Sequence, residues 1–147
     1  MDYLDVISLA EAKTYLGVDD TSRDAEITRM IKSAVTFIEK RTNHILVEQT
    51  KTYIFRQGCV RVYDYPIVST TNTTSTNTVH NGYSTYLDST ADDIDFVLGY
   101  DALTDVPSEL VEACYMMLKF FFFEQEGSGK IPMAVQDIID ANKRFLL

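Results

Sequence analysis

The chain has 147 residues and a formal net charge of −9, with 22 acidic residues against 13 basic ones. Hydrophobic residues make up 46% of it and aromatic residues 12%, a composition that supplies a folded core and excludes an intrinsically disordered chain. This length predicts one domain that needs no disulfide or metal to fold. No stretch gathers enough lysine and arginine to neutralise a phosphate backbone, which disfavours direct binding to nucleic acid.

The cysteines and the amino terminus give no sign of a secreted protein. Cys59 and Cys114 have neither CxxC spacing nor a nearby histidine in the sequence, so both are predicted to be buried reduced thiols rather than a disulfide or a metal pair. Asp2 and Asp5 stand where a signal peptide would carry basic residues, and no long apolar segment follows them. We therefore expect a cytoplasmic location.

The first 42 residues predict two helices. Ser8 and Glu11 form a capping box, and Gly17 can end the following turns in a left-handed cap, which predicts a helix over residues 9–16. Apolar residues then recur at helical spacing from Ile27 to Ile38. Acidic residues precede them and basic residues follow, which predicts a helix over residues 23–42.

Residues 45–100 are rich in Thr, Tyr and Val and alternate in polarity over short runs, which predicts short strands. Asn81-Gly82 lies between two such runs and predicts a projecting β-hairpin with a two-residue turn. Ahead of it, the stretch from Ser69 to Thr78 contains only small polar side chains. This stretch predicts an exposed arm that is mobile unless a partner orders it.

The last third of the chain predicts two more helices, over about residues 107–126 and 132–145. Pro107 lies in the first turn of the earlier one, and the four successive phenylalanines at 120–123 cover most of its circumference. We expect this helix to be buried on every side. Its apolar surface exceeds what a monomer of this size can easily cover. Its short apolar run contains Lys119, which favours core or interface over a membrane span. The residues predicted at the centre of the core are Met117, Leu118, Phe121 and Phe122.

Together these elements predict a mainly α member of the α+β class. The helices form a four-helix bundle, and the β-rich region at about residues 45–100 is inserted into it as a β-hairpin or small antiparallel sheet. The last helix ends in the two cations Lys143 and Arg144.

No constellation of residues predicts catalysis, a cofactor or a metal. His44 and His80 lack the spacing that places two ligands on one ion and are predicted to be surface polar residues. Gly127-Ser128-Gly129-Lys130 lacks the four-residue gap of a phosphate-binding loop and predicts a flexible turn. The acidic cluster at residues 92–95 lacks the glycine and the distal glutamate of a calcium loop and predicts a solvated turn. We expect a protein that is not an enzyme.

Three groups of segments span nearly the whole chain in a set order. The first contains Leu9–Asp19, Asp24-Ala25-Glu26-Ile27, Ala34 and Phe37-Ile38-Glu39. The second is Tyr65-Pro66-Ile67-Val68, which leads into the polar hairpin. The third contains Val106-Pro107-Ser108-Glu109-Leu110, the aromatic-rich helix up to Glu124, and Ile131-Pro132-Met133-Ala134-Val135 leading to Arg144. In this order and spacing, they resemble the phage head-tail connector family.

Members of that family are helical-bundle adaptors that assemble as a ring, typically twelve-fold, beneath the portal of a DNA-filled capsid. The resemblance implies that residues 1–147 form a single connector domain that joins a homo-oligomeric ring. This ring would extend the portal channel, dock the stopper or tail protein and perform no reaction. It implies a place at the head-tail interface of the virion, after a period in the host cytoplasm, without membrane contact. DNA would pass an acidic lumen without specific binding, because like charges repel.

Two segments are candidate interfaces in such an assembly. The carboxy-terminal segment ends an amphipathic helix with cations and apolar residues, which predicts docking on the portal; alternatively, its apolar residues close the subunit's own core. This segment consists of Lys143, Arg144, Phe145, Leu146 and Leu147. The polar arm and hairpin have no apolar face to bury, which predicts contact with a neighbouring subunit or a tail component. The residues concerned are Thr73, Thr74, Asn77, Asn81, Gly82 and Tyr83.

Three other functions stay open on the sequence. A tail-completion or stopper protein shares the ring habit but is usually dominated by β-structure, against which the four helix signals argue. A small acidic enzyme would use a pocket lined by Phe and Tyr residues and would be a monomer or dimer. A regulator of a host protein would bind its target without forming a ring.

Overall fold

A computed structural model of the chain describes residues 1–54, 59–71, 77–80, 85–88, 93–123 and 130–144. At 59, 60, 71, 77–80 and 85–88 it describes the backbone alone. The α-helices in this part of the chain are α1 (Tyr3–Val6), α2 (Leu9–Leu16), α3 (Asp24–Thr42), α4 (Ser108–Phe123) and α5 (Met133–Asn142). A 3-10 turn at Leu103–Asp105 precedes α4. The mainly helical α+β class is therefore confirmed.

The helix boundaries follow the local chemistry that the sequence indicated. Ser8 and Glu11 form the predicted capping box of α2, and Gly17 ends that helix with a φ of 71°, a conformation that suits glycine. The helix α1, a single turn capped by Asp2, was not predicted. The predicted end of α5 is too late, because Lys143 is already extended. The predicted extension of α4 beyond Phe123 lies outside the described residues.

The helical layer has one apolar core, formed mainly where α3 packs on α4. Ile27, Ile31 and Ile38 on α3 and Met117 and Leu118 on α4 are fully buried. Cys114 lies among them as a free thiol, as predicted, and burial raises its pKa. The side chain of Cys59 lies outside the described residues.

The described strands of the β-rich region form two antiparallel sheets of three strands each. One has the order β1 (Gln49–Ile54), β6 (Asp93–Leu98) and β3 (Ile67–Thr71), and its buried face contains Ile94, Phe96 and Leu98. The other has the order β2 (Cys59–Val62), β5 (Thr85–Asp88) and β4 (Asn77–His80). Gly99 follows β6 with a φ of 129°, and a β-carbon at this position would come within 2.8 Å of Glu48 Cα. This close approach requires glycine.

The predicted arm is partly incorporated into these sheets. Ser69, Thr70 and Thr71 pair with Val97, Phe96 and Asp95, so the start of the stretch is strand β3 rather than an exposed arm. At its end, β4 pairs with β5, which confirms an antiparallel hairpin. His80 lies opposite Thr85, whereas a two-residue turn would place it opposite Tyr83. A two-residue turn at Asn81-Gly82 therefore does not fit this register, and residues 81–84 themselves lie outside the described residues.

Candidate interaction surfaces

An apolar groove of about 450 Å³ lies at the carboxy-terminal end of α4, which packs here against α2 and the start of α5. Its lining includes Tyr15, Met116, Phe120, Phe123, Pro132 and Ala134. Phe123 is 60% exposed, and Met133, which lies between Pro132 and Ala134 in the sequence, is 81% exposed. Lys119 also borders the groove, with its Nζ atom 5.8 Å from the centre of the Tyr15 ring. This surface leaves large apolar side chains in contact with water.

The groove exists because α4 is apolar on more sides than the subunit covers. Met117 and Leu118 are fully buried, and Phe122 is buried beneath the Arg23 guanidinium, 4.1 Å from its ring centre. Phe121 is only partly buried, against the edge of Phe37, so its place at the centre of the core is a wrong prediction. Within one subunit α4 is not buried on every side, and it keeps the excess of apolar surface that the sequence predicts.

An exposed acidic turn lies before the amino-terminal end of α4. All five residues from Asp101 to Asp105 are exposed, and Leu103 at their centre is 40% exposed. The amide of Val106 donates to the Leu103 carbonyl oxygen at 3.2 Å, which closes the 3-10 turn. We call residues 101–105 the acidic turn. Its sequence carries a leucine between two carboxylates.

The carboxy-terminal segment contacts the loop that follows α3. The Arg144 amide donates to the Thr42 carbonyl oxygen at 2.9 Å, and its Nε donates to the Tyr63 carbonyl oxygen at 3.0 Å. The guanidinium lies 4.5 Å from the centre of the Tyr65 ring, and the Asn43 side chain donates to the Arg144 carbonyl oxygen. Arg144 is buried as a result. This residue joins the end of α5 to the β-rich region.

His44 belongs to the same junction, contrary to its predicted place on the surface. Its Nδ1 lies 2.7 Å from the Tyr100 hydroxyl, and the two rings are stacked. Burial and then the nearby Arg144 charge lower the pKa of His44 to about 4. The sequence offered no signal for this cluster, because Tyr65, Tyr100 and Arg144 are distant along the chain.

The predicted interface residues fall into three groups. Lys143 is exposed, and Arg144 is buried in its own subunit. Asn77 is described through its backbone alone, opposite Asp88 in the ladder of β4 and β5. Phe145, Leu146, Leu147, Thr73, Thr74, Asn81, Gly82 and Tyr83 lie outside the described residues. Lys143 and Arg144 are therefore the two predicted interface residues whose side chains are described.

The solvated turn predicted for the acidic cluster is wrong for Asp93 and Asp95, and Asp92 lies outside the described residues. Asp93 and Asp95 belong to strand β6, and Asp95 accepts a hydrogen bond from the Thr52 hydroxyl at 2.5 Å. Within the described ranges, no group of three His, Cys, Asp or Glu side chains is placed to hold a metal ion. None of the helices described is long and apolar enough to cross a membrane.

Comparison with solved structures reveals similar folds. A chain from the virion of a native gene transfer agent particle is 15% identical, with a TM-score of 0.75 over 97% of this chain and 91% of that chain. A chain from the neck of the native particle computed with C12 symmetry is 16% identical, with a TM-score of 0.74 over the same shares. The neck of the empty particle, computed with C6 symmetry, contains a chain at 14% identity and a TM-score of 0.74. At such identities the likeness concerns the fold.

The amino-acid sequence was also compared with curated proteins and with models of protein families. No curated protein sequence matches the chain. The model of phage gp6-like head-tail connector proteins matches residues 6–96, from the end of α1 to the middle of β6. This range is more than half of the chain and includes α2, α3 and most of the β-rich region. The chain therefore belongs to the phage gp6-like head-tail connector proteins.

Proposed function

We propose that this connector protein forms a homo-oligomeric ring of twelve subunits at the head-tail interface of the virion. The ring binds the portal on one side and the stopper or tail protein on the other. The observation that carries this proposal is the fold shared over 97% of the chain with a protein in a particle neck computed with C12 symmetry. The subunit is made in the host cytoplasm and joins the virion during assembly.

The surface chemistry supports assembly into a larger complex. Phe123 and Met133 are 60% and 81% exposed on one end of the helical layer, where a neighbouring protein could exclude water from them. Burying the exposed parts of these two side chains stabilises an interface by roughly 2 to 4 kcal/mol before the costs of association. A monomer gains nothing from leaving them exposed.

The charge of the chain suits a channel for DNA. Each subunit carries a formal net charge of −9, so a ring of them is strongly acidic. An acidic wall repels the phosphate backbone and offers no cations to replace its counterions. DNA then passes through the lumen without being held. The protein acts by shape and contact, and we propose no reaction for it.

The proposal is tested by co-sedimentation of the purified chain with portal particles. We expect binding at physiological ionic strength and no binding to double-stranded DNA under the same conditions. Binding to DNA without binding to portal particles would contradict the proposal. If the purified chain formed a ring and bound the tail but not the portal, this result would favour the stopper function instead.

Two variants in the same assay locate the contacts. We propose that residues 145–147 dock on the portal, with the exposed Lys143 beside them. Their deletion retains Arg144 and its contacts at the α3 loop, so we expect an unchanged thermal melt with weaker portal binding. A collapsed melt would show that Phe145 and Leu146 close the subunit's own core. Unchanged melting and binding would exclude both roles.

We propose a second contact through the polar arm and hairpin, with Thr73, Thr74, Asn77, Asn81, Gly82 and Tyr83. Because Ser69–Thr71 and Asn77–His80 belong to strands, substitution tests this contact better than deletion. Replacing Thr73 and Thr74 with glutamate should preserve the melt and impair ring assembly or binding of the tail component. Assembly and tail binding at parent levels would refute this contact.

A further inference from the structure

We propose that the apolar groove at the end of α4 receives the acidic turn of a second copy of this chain, so that neighbouring subunits join head to tail. Leu103 enters the groove, and Asp101 and Asp105 lie at its rim near Lys119. This inference rests on the proposed ring and names the two surfaces that build it.

The groove has the chemistry of an anchor site. Its wall is aromatic and aliphatic, with Phe120 and Phe123 from α4 and Tyr15 from α2, and it has a volume of about 450 Å³. This volume accommodates a single large apolar side chain together with its neighbouring backbone. Lys119 supplies a positive charge at the border, where it lies over the Tyr15 ring. A suitable partner is therefore apolar at its centre and acidic at its edge.

The acidic turn has that composition on the same chain. Leu103 is exposed between Asp101 and Asp105, which are exposed as well. A 3-10 turn holds the leucine on a short, defined backbone rather than on a long loop, which reduces the entropy lost on binding. Because the chain as a whole is acidic, two random faces of it repel each other. Carboxylates placed against Lys119 select one relative orientation.

The two surfaces lie at opposite ends of α4. The acidic turn precedes Ser108, and the groove extends from Met116 to Phe123, at the other end of the same helix. At about 1.5 Å per residue, these ends are on the order of 20 Å apart, so a turn cannot occupy its own groove. Two different surfaces that complement each other make a heterologous contact, and such a contact closes into a ring when its rotation permits. A symmetric dimer would need one surface that complements itself.

The test compares glutamate substitutions on the two surfaces with a matched control. Leu103→Glu alters the acidic turn, and Phe123→Glu alters the groove. Leu4→Glu is the control, because Leu4 and Leu103 are 41% and 40% exposed. Each protein is mixed with portal particles, because the subunits assemble into a ring either alone or only on the portal. Both cases are then detected. Bound copies are measured by native mass spectrometry, and a thermal melt confirms that each variant is folded.

We expect both surface variants to melt like the parent and to assemble about tenfold or more weakly, whereas the control assembles normally. If the parent assembles and both variants assemble equally well, this inference is overturned and the proposed function stands. The same holds if only Phe123→Glu fails, because the groove then receives another partner. A parent that does not assemble even with portal particles overturns the proposed function and this inference together.

A charge exchange provides a second measurement that does not depend on the apolar substitutions. Lys119→Glu should weaken assembly, and adding Asp101→Lys and Asp105→Lys to the same chain should restore it. A triple variant that assembles no better than Lys119→Glu would contradict the proposed contact between the acidic turn and the groove.

Discussion

Glu39 is a buried carboxyl group that joins α3 to the loop before β1. Its Oε1 accepts hydrogen bonds from the amides of Leu46 at 2.8 Å and Val47 at 2.9 Å. Burial raises the pKa of Glu39, whereas the two amides lower it and only partly offset the effect. The carboxylate thus supplies the acceptor for the amides of Leu46 and Val47, which lie in the loop between α3 and β1. It therefore fixes the direction in which the β-rich region begins.

Replacing Glu39 with alanine should lower the free energy of unfolding by about 2 to 3 kcal/mol, because two amides lose their acceptor. Glu39→Gln retains the oxygen and removes a charge that is costly to bury. We expect this control to be at least as stable as the parent at pH 7, measured by urea unfolding. An alanine variant with parent-like stability would contradict the bridging role.

The difference in stability between the parent and Glu39→Gln depends on pH with a defined sign. Because the folded pKa of Glu39 lies above its unfolded value, the folded state takes up the proton first. The parent should therefore gain stability relative to Glu39→Gln as the pH falls from 7 towards the unfolded value. Stabilities of the two proteins that change in parallel would show that Glu39 does not titrate in this way.

The imidazole of His44, at the junction with Arg144, is a second group whose protonation changes the stability of the fold. Its pKa in the folded state, about 4, lies below the ordinary value of 6.5, so the unfolded state binds the proton first. Stability contributed by neutral His44 is complete at pH 7 and is lost as the pH falls through 6.5 towards 4. An NMR titration should show a midpoint near 4 for the ring resonance that disappears in His44→Gln. A midpoint near 6.5 would mean that the ring is exposed.

Among the elements, α4 both packs in the subunit core and presents an apolar surface to solvent, and one sequence pattern cannot separate these two roles. Met117 faces α3 and is fully buried, whereas Phe121 and Phe123 are progressively more exposed. The run of phenylalanines predicted a helix that is apolar all round. It did not predict which rings the subunit covers, because that depends on where α2, α3 and α5 lie around the helix.

This difference is measurable by alanine substitution in α4. Met117→Ala should cost about 2 to 5 kcal/mol, because it opens a cavity between α3 and α4. Phe121→Ala should cost less than the roughly 3 to 5 kcal/mol of a fully buried ring, since Phe121 keeps contact with water and only edges Phe37. Chemical denaturation of both variants provides the comparison. A larger loss for Phe121→Ala than for Met117→Ala would restore Phe121 to the centre of the core.

At the scale of the molecule, local signals in the sequence predicted the helices well. The capping box at Ser8, the cap at Gly17 and the apolar spacing of α3 are set by neighbouring residues, so they could be recognised without a structure. The junction of His44 with Arg144 and the pairing of β3 with β6 could not, because their partners are many residues apart. The acidic turn could not be recognised from the sequence for a different reason. A lone exposed leucine has meaning only beside the groove that it complements.

The proposed ring is tested most directly by the mass of the complex that the parent chain forms with portal particles. Native mass spectrometry at rising subunit concentration should show one saturated complex with the twelve copies of the proposed ring, matching the C12 symmetry of the neck that contains a chain of similar fold. Cooperative filling is expected as well, because each added subunit contacts the one before it. Saturation at one or two copies per portal particle, or independent binding without contact between subunits, would contradict the account.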